Sequence, residues 1–369
     1  MGEVGCGIHT AFAVARTPIG FKTLGELLPL LLVRWHRIRD NISTAEVVVS
    51  TDQCCDLLGD LRAILHEVHI YRNGEPVWEG PITRIEYESE TVHIFADDVL
   101  WASTRAVIEK GYDYLYPKVG YVLDTMDSLM LDCYTRGGDP WHMLPAHLHP
   151  LRSADEPKHH QVVNDWQMYT WEAFDKFAED NGTDYTVVNR DVYYWDLNVA
   201  WKVLPPLDER WISELPRLVE YGNSLATRGV VTNGRGFAGV DDAGLPTTGP
   251  KGYGLIDDLT VNSQESDTQE TPSNEELLGW QSTALKNISD RWPTPLGIVV
   301  PDNTMLLPSS PWKIRDLIPG AWFEVSVTRL CREATGWERL QELTVEELPE
   351  RGETIKFTSI TAPKTMIRV

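Results

Sequence analysis

The stretch His66–Trp101, HEVHIYRNGEPVWEGPITRIEYESETVHIFADDVLW, decides the fold. Asn73-Gly74 sits between two alternating segments, and both residues accept the positive φ that a type I′ turn demands. A two-residue loop there sets Ile70 opposite Val77 on one face and His69 opposite Trp78 on the other. A third strand is expected after a turn at Gly80-Pro81, with Thr83, Ile85 and Tyr87 alternating against Ile82, Arg84 and Glu86. A fourth carries Val92, Ile94 and Ala96 on one side and stops at Asp97-Asp98. Four short alternating strands with tight turns are a unit of a barrel or sandwich, a scaffold that presents surfaces.

Working outward, Val33–Ile38 and Ala45–Val49 read as a strand pair around Asp40-Asn41. Residues 53–64 have helical spacing, with Leu57, Leu58 and Leu61 on one face. Beyond the module, Val122, Met126, Leu129 and Met130 mark a helix. A firmer helix lies in TWEAFDKFAEDNG from Thr170, where Trp171, Phe174, Phe177 and Ala178 share a face and Asn181-Gly182 is the stop. The glycosylation sequon Asn181-Gly182-Thr183 is accounted for by that cap. A hairpin of Tyr185–Val187 and Val192–Tyr194 is expected next, turning at Asn189-Arg190-Asp191.

Residues 229–254 are dense in glycine and read as a long turn-rich loop. They contain no G-x-x-x-x-G-K-[ST], and no G-x-G-x-x-G opens a helix. The polar run NSQESDTQETPSNEE reads as solvated, and Glu275–Ile288 as helical. At the C-terminal end, Ile298–Pro301 and Met305–Leu307 flank Asp302-Asn303 as a further hairpin. Trp322–Val327, Leu340–Glu346 and Glu353–Ser359 supply strands in an order similar to that of the first module.

The fold class read from this order is α+β and β-rich, with two β-barrel-like modules bracketing a mixed α/β middle. The corresponding division is an N-terminal β-barrel-like domain at 1–105, a mixed helical and helix-hairpin domain at 106–228, a Gly-rich and acidic connecting region with a helix at 229–290, and a C-terminal β-barrel-like domain at 291–369.

Charge narrows the function. A net charge of −22 argues against gripping nucleic acid, which requires lysine and arginine on phosphates. Such a surface repels DNA and lets it slide past. Five scattered cysteines, Cys54 and Cys55 adjacent, give no disulfide framework or C-x-x-C pair. Leu24–Val33 is too short for a bilayer span and is interrupted by Glu26 and Pro29, so no membrane segment is expected. Fourteen tryptophans serve either the core or interfaces.

His142, His147, His149, His159 and His160, with Asp139 and Asp155 nearby, invite a metal reading, but their spacing matches no common zinc arrangement. A solvated or interface loop with a pH-sensitive role is the competing reading. G-x-S-x-G and H-E-x-x-H are absent, and pairs such as Asp257-Asp258 or Glu88/Glu90 arise by chance among 55 acidic residues. No catalytic, cofactor-binding or metal residue is assigned, and no cofactor is expected.

Four places carry a family resemblance: Trp35–Tyr87, the helix and hairpin WEAFDKFAEDNGTDYTVVNRDVYYW, the glycine-rich stretch after Arg228, and DLIPGAWFEVSV with the terminal strands. Together they resemble the minor tail proteins of siphophages infecting actinobacteria, in the group related to the baseplate hub. The resemblance implies a homotrimeric hub that closes the distal tail tube. Two similar barrels per subunit adapt six-fold to three-fold symmetry while DNA passes. It implies as partners a distal tail or tail tube protein, the tape measure protein, and a central fibre, spike or other minor tail protein. It places the protein at the distal end of the virion tail, assembled in the host bacterial cytoplasm. Alternatives are a receptor- or carbohydrate-binding tail protein, a tail-associated hydrolase, or a hexameric distal tail protein.

Overall fold

The computed structural model describes residues 4–17, 20–51, 55–109, 112–114, 122–136, 148–151, 161–163, 168–196, 199–220, 228–232, 238–241, 258–262, 296–329 and 332–361. The N-terminal module contains β1 (His9–Thr17), β2 (Gly20–Glu26), β3 (Leu30–Ile38), β4 (Thr44–Ser50), α1 (Cys55–Asp60), β5 (His66–Arg72), β6 (Glu75–Tyr87) and β7 (Thr91–Asp97). The middle carries β8 (Tyr112–Tyr114), α2 (Val122–Arg136), β9 (Leu148–Leu151), β10 (Gln161–Val163), α3 (Thr170–Asn181), β11 (Thr183–Val188) and β12 (Asp191–Asp196). Then follow β13 (Arg217–Glu220), β14 (Arg228–Thr232), β15 (Ala238–Asp241), β16 (Asp258–Asn262) and β17 (Leu296–Val299). The last strands are β18 (Thr304–Met305), β19 (Trp322–Arg329), β20 (Arg332–Leu348) and β21 (Gly352–Thr361).

The fold is β-rich α+β, as expected. The two terminal modules form a single eleven-stranded sheet in the order β18-β21-β20-β3-β4-β7-β6-β5-β1-β2, with β19 attached to β20. The joint is the antiparallel pairing of β3 with β20, from Val33↔Glu347 to Ile38↔Glu342. One hydrophobic core runs through both modules. It takes Trp35, Val47, Val68 and Ile94 from the first and Trp312, Phe323, Leu343 and Phe357 from the second. The last three aromatics meet edge to face, Trp312–Phe323 at 5.1 Å and Trp312–Phe357 at 5.9 Å.

The Asn73-Gly74 turn forms, with φ of 52° and 83°. The register beyond it departs from the simple alternation. Ile70 faces Trp78 and His69 faces Glu79, because Val77 is an extra residue in a bulge. Pro76 has no N–H to give to the ladder, and a bulge is where a strand accommodates such a residue. Val77 and Trp78 are consequently both buried.

Gly80-Pro81 is not a turn. β6 runs straight through it, pairing with β5 as far as Pro81 and with β7 from Ile82 onward. A Cβ on Gly80 would lie 2.0 Å from the Asp97 carbonyl oxygen, so only glycine fits at this corner. Past it, Val92, Ile94 and Ala96 point into the core. Asp98 ends β7 and caps a short 3-10 turn through the Leu100 amide, at 2.8 Å.

In the middle, Phe174, Phe177 and Ala178 of α3 pack with Leu123, Met126 and Met130 of α2 and with Tyr185 and Tyr194 of the hairpin β11–β12. Gly182 ends α3 in the left-handed region, φ 61° and ψ 46°. The hairpin turns at Asn189-Arg190, with Val188 opposite Asp191.

Two further expectations are corrected. The strands flanking Asp302-Asn303 do not pair with each other. Asn303 takes φ 58°, but β17 pairs with β13 and β18 with β21. Pro301 removes one donor between them, and β13 and β21 take up their backbone groups instead. The glycine-rich stretch is not loop throughout, since β14 pairs antiparallel with β15 and parallel with β16. The helix expected at Glu275–Ile288 lies outside the described residues.

Of the ten described tryptophans, Trp35, Trp78, Trp195, Trp312 and Trp322 are buried, so the core claims half of them. Among the described residues, no helix is long and apolar enough to cross a membrane.

Candidate assembly surfaces

A scaffold acts through its joints and its faces. Three buried ionic joints fasten distant parts of this chain. In the first, the carboxylate of Glu353 on β21 accepts the Gly5 and Gly7 amides, each at 3.0 Å, and the Arg72 guanidinium at 2.5 and 2.8 Å. A side chain at Gly7 would enter this pair, 2.3 Å from Arg72 Nε. Beside it, the Trp35 indole donates to His9 Nε2 at 3.2 Å, leaving His9 Nδ1–H for Glu347 at 2.6 Å. Burial, the largest influence, holds the His9 imidazole below its ordinary pKa despite the two glutamates.

The second joint gathers the turn after β3, strand β11 and strand β20. Arg39 Nη1 donates to Asp184 at 2.7 Å, Arg39 Nε donates to Gln341 at 2.8 Å, and Arg339 pairs with the other Asp184 oxygen. Asp40 accepts the Tyr185 amide at 2.9 Å. Burial and then the neighbouring Asp184 charge push Asp40 up to about 7. The same turn is held from behind by Asp98, which accepts the Ser43 amide at 2.6 Å and is pushed up to about 7 by burial.

A third joint seats the hairpin tip on the N-terminal module. Glu67 of β5, fully buried, meets Arg190, Arg16 at 3.4 Å and His69 at 3.3 Å. Burial would raise its pKa, but His69 and Arg190 outweigh it and hold the carboxyl low. The Arg190 guanidinium also lies over the Phe21 ring, 4.4 Å from its centroid.

The outer face of the sheet crosses the joint without interruption. Register places Thr354, Glu346, Arg34, Glu46, Phe95 and Arg84 side by side on six adjacent strands. Arg34 donates to Glu346 at 2.7 Å and to Glu46 at 3.2 Å, and His93 meets Glu46 at 3.2 Å. Arg84 stacks on Phe95 at 4.0 Å and pairs with Glu86 at 3.1 Å. His36 meets Glu342 at 3.1 Å, a contact that holds the Glu342 carboxyl below its ordinary range. On this face Lys356, opposite Thr344, has no carboxylate within ion-pair distance among the described residues. Cations already neutralised by carboxylates make a poor phosphate grip.

His142, His147, His159 and His160 lie outside the described residues, and His149 is described only as part of β9. Among the described residues no group of His, Cys, Asp and Glu is arranged to hold a metal ion. The ionic joints were not singled out from sequence. Their members are separated by up to 348 residues, and no local spacing signals such pairs.

No protein-family model matches the sequence, and no curated protein does. Solved structures do match in fold. A tail protein from Neisseria meningitidis MC58 aligns with a TM-score of 0.58 at 12% identity, covering 97% of this chain and 98% of that one. This chain has a tail-protein fold. The 43 kDa tail protein of prophage MuSo2 from Shewanella oneidensis aligns at 0.56 and 9% identity, covering 96% and 98%. The prophage tail protein gp18 from Listeria monocytogenes EGD-e aligns at 0.55 and 10%, covering 96% of each chain. The tail-protein fold thus extends over nearly the whole length, terminal modules and middle together.

Proposed function

We propose that this chain is a structural virion protein, a homotrimeric tail-tip (baseplate) hub of the siphophage minor tail protein group, as in actinobacteriophages. The observation that carries the reading is the β3–β20 joint. It fuses two β-modules into one continuous sheet and one core, so each subunit offers two rigidly related wall segments. Three such subunits give six segments, the count needed to meet a six-fold tube with a three-fold tip. Near full-length likeness to tail proteins supports the same reading.

In this reading the chain divides at 1–105, 106–228, 229–290 and 291–369, with the outer two pieces forming the ring. The protein sits at the distal end of the tail after assembly in the host cytoplasm. Its neighbours are a distal tail or tube protein, the tape measure protein, and a fibre, spike or other minor tail protein. It catalyses no reaction and binds no specific nucleic acid. The pairing of Arg34 and Arg84 with carboxylates on the outer face suits a wall past which DNA moves, since a gripping surface would leave most of its cations free. Cryo-electron microscopy of the tail tip tests this. Three copies in a pseudo-six-fold ring at the tube end are expected. Six equivalent copies mean a distal tail ring, and peripheral copies on fibres mean receptor binding.

A further inference from the structure

The hairpin β11–β12 rests on the sheet through two ionic seats, one at its root and one at its tip. At the root it meets the turn after β3 through a short backbone bridge. The Asp40 amide donates to the Tyr185 carbonyl at 2.9 Å, the Tyr185 amide donates to the Asp40 carboxyl at 2.9 Å, and Arg39 lies opposite Thr186. The Thr186 hydroxyl adds a bond to the Ile38 carbonyl at 2.9 Å. The tip is held elsewhere, by Arg190 on Glu67 and over the Phe21 ring. Tyr185 is fastened to α3 as well. Its ring meets Phe174 edge to face at 5.0 Å, and its hydroxyl donates to Asp175 at 2.7 Å. If the Asp40 contact opens, the hairpin root and α3 therefore move together.

The charged groups around Asp40 come from four elements. Arg39, in the same turn, has its Nε 3.4 Å from the second Asp40 oxygen. β11 brings Asp184, α3 brings Asp175 and Glu179, and β20 brings Arg339. Asp98 stands behind the turn, accepting the Ser43 amide. Around the cavity of about 340 Å³ at this seat, four carboxyl groups face two guanidiniums. Both guanidiniums already donate to Asp184, so an ionised Asp40 shares Arg39 with it at the longer distance. Burial and the Asp184 charge accordingly keep Asp40 protonated up to about pH 7, whereas an aspartate in water loses its proton near pH 4.

We propose that this contact is a proton-operated clasp, closing the middle of the molecule onto the sheet below neutrality and releasing the hairpin root and α3 as pH rises. Opening exposes Asp40 to water, so a proton leaves with it between about pH 4 and 7. The open population grows up to about tenfold per pH unit across that window and levels off above it. The tip has the opposite sign. Glu67, held ionised by His69 and Arg190 with Arg16 alongside, keeps its seat as pH rises. Glu79 also meets Arg190 at 3.6 Å and His69 at 3.4 Å.

The test is amide hydrogen exchange of the full chain, followed by NMR from pH 5 to 8 and corrected for the intrinsic exchange rate. The expected result is a loss of protection at the Asp40 and Tyr185 amides of about tenfold or more between pH 5 and 7, and of less than about threefold from pH 7 to 8. The Arg39 amide, bonded to the Gln341 carbonyl within the sheet at 2.9 Å, keeps its protection. Nuclear Overhauser contacts between Arg190 and Phe21 persist throughout. Asp40→Asn, which retains an oxygen for the Tyr185 amide, makes the protection at Tyr185 independent of pH. Flat protection at Asp40 and Tyr185 in the natural chain overturns the proposal. So does an equal loss at Arg39 or of the Arg190–Phe21 contacts, which means wider unfolding. A slope that survives in Asp40→Asn overturns it too, and passes the titration to Asp98.

Discussion

At the C-terminal end of the sheet, residues 202–213 lay their amides and carbonyls along β19 and β18, whereas at the N-terminal end β2 is held by its antiparallel ladder with β1. Both ends belong to one sheet over one core, so the contrast is not one of stability against disorder. The two ends are thus held differently, one by a linker segment and the other by a hairpin partner. Between the two ends lies the joint, where the contrast is between buried charge that is paired and half-exposed charge on the outer face.

The largest way to break that arrangement is to unpair the joint. Arg72→Ala leaves the fully buried Glu353 carboxylate with the two glycine amides and, at 4.0 Å, the His9 imidazole. Loss of one partner from a buried pair costs about 3–5 kcal/mol. Urea denaturation should show that loss, and a cost under about 1 kcal/mol would mean the N-terminal segment is not fastened there. Next comes Gly80→Ala, whose methyl would meet the Asp97 carbonyl at the corner of β6. Overpacking of this kind costs about 1–3 kcal/mol, read as a lowered Tm.

A pH series sharpens the contrast between the two kinds of charge. Asp40 and Asp98 have folded pKa values of about 7, above those of an unfolded aspartate. The folded state thus holds more protons between about pH 4 and 7. These groups lower stability as pH rises through that window, and their effect levels off above pH 7. Glu67 acts with the opposite sign, its lowered pKa giving stability that is lost as pH falls through the folded value. Asp98→Asn should flatten the fall of stability between about pH 4 and 7, with urea midpoints as the measure. An unchanged slope would remove Asp98 from the account.

Smaller effects belong to the outer face. Glu46→Gln takes away one carboxylate from Arg34 and His93, which keep Glu346 and Glu88 respectively. Half-exposed pairs contribute about 0–1 kcal/mol, so Tm should barely move. Retention on a heparin or DNA column should rise instead, if neutralised cations keep polyanions off this wall. Unchanged retention counts against that role. Smallest of all is Lys22→Glu at an exposed position of β2, where stability should stay within about 0.5 kcal/mol.

How much of this was legible in the sequence depends on range. Asn73-Gly74 and Asn181-Gly182 were readable because the requirement for positive φ is met inside the residue itself. The alternation of Val92, Ile94 and Ala96 was readable because a strand buries every second side chain. Asp302-Asn303 had similar chemistry yet joined strands that pair elsewhere, since a turn fixes direction and not partners. The ionic joints were invisible for the same reason. Arg39, Asp184 and Arg339 meet only after β3 has paired with β20, and with 55 acidic residues no spacing distinguishes Asp184 from the rest.

The sequence by itself determined the local units: alternating strands, capped helices, tight turns and a surplus of negative charge. Each follows from backbone conformational preference and the hydrophobic period, which act over a few residues. Only the tertiary structure decided that the first and last modules share one sheet and one core, and that linker 202–213 lies along β19 and β18. Those outcomes depend on which distant backbones can satisfy one another's hydrogen bonds while burying a common apolar surface. That choice belongs to the whole chain at once.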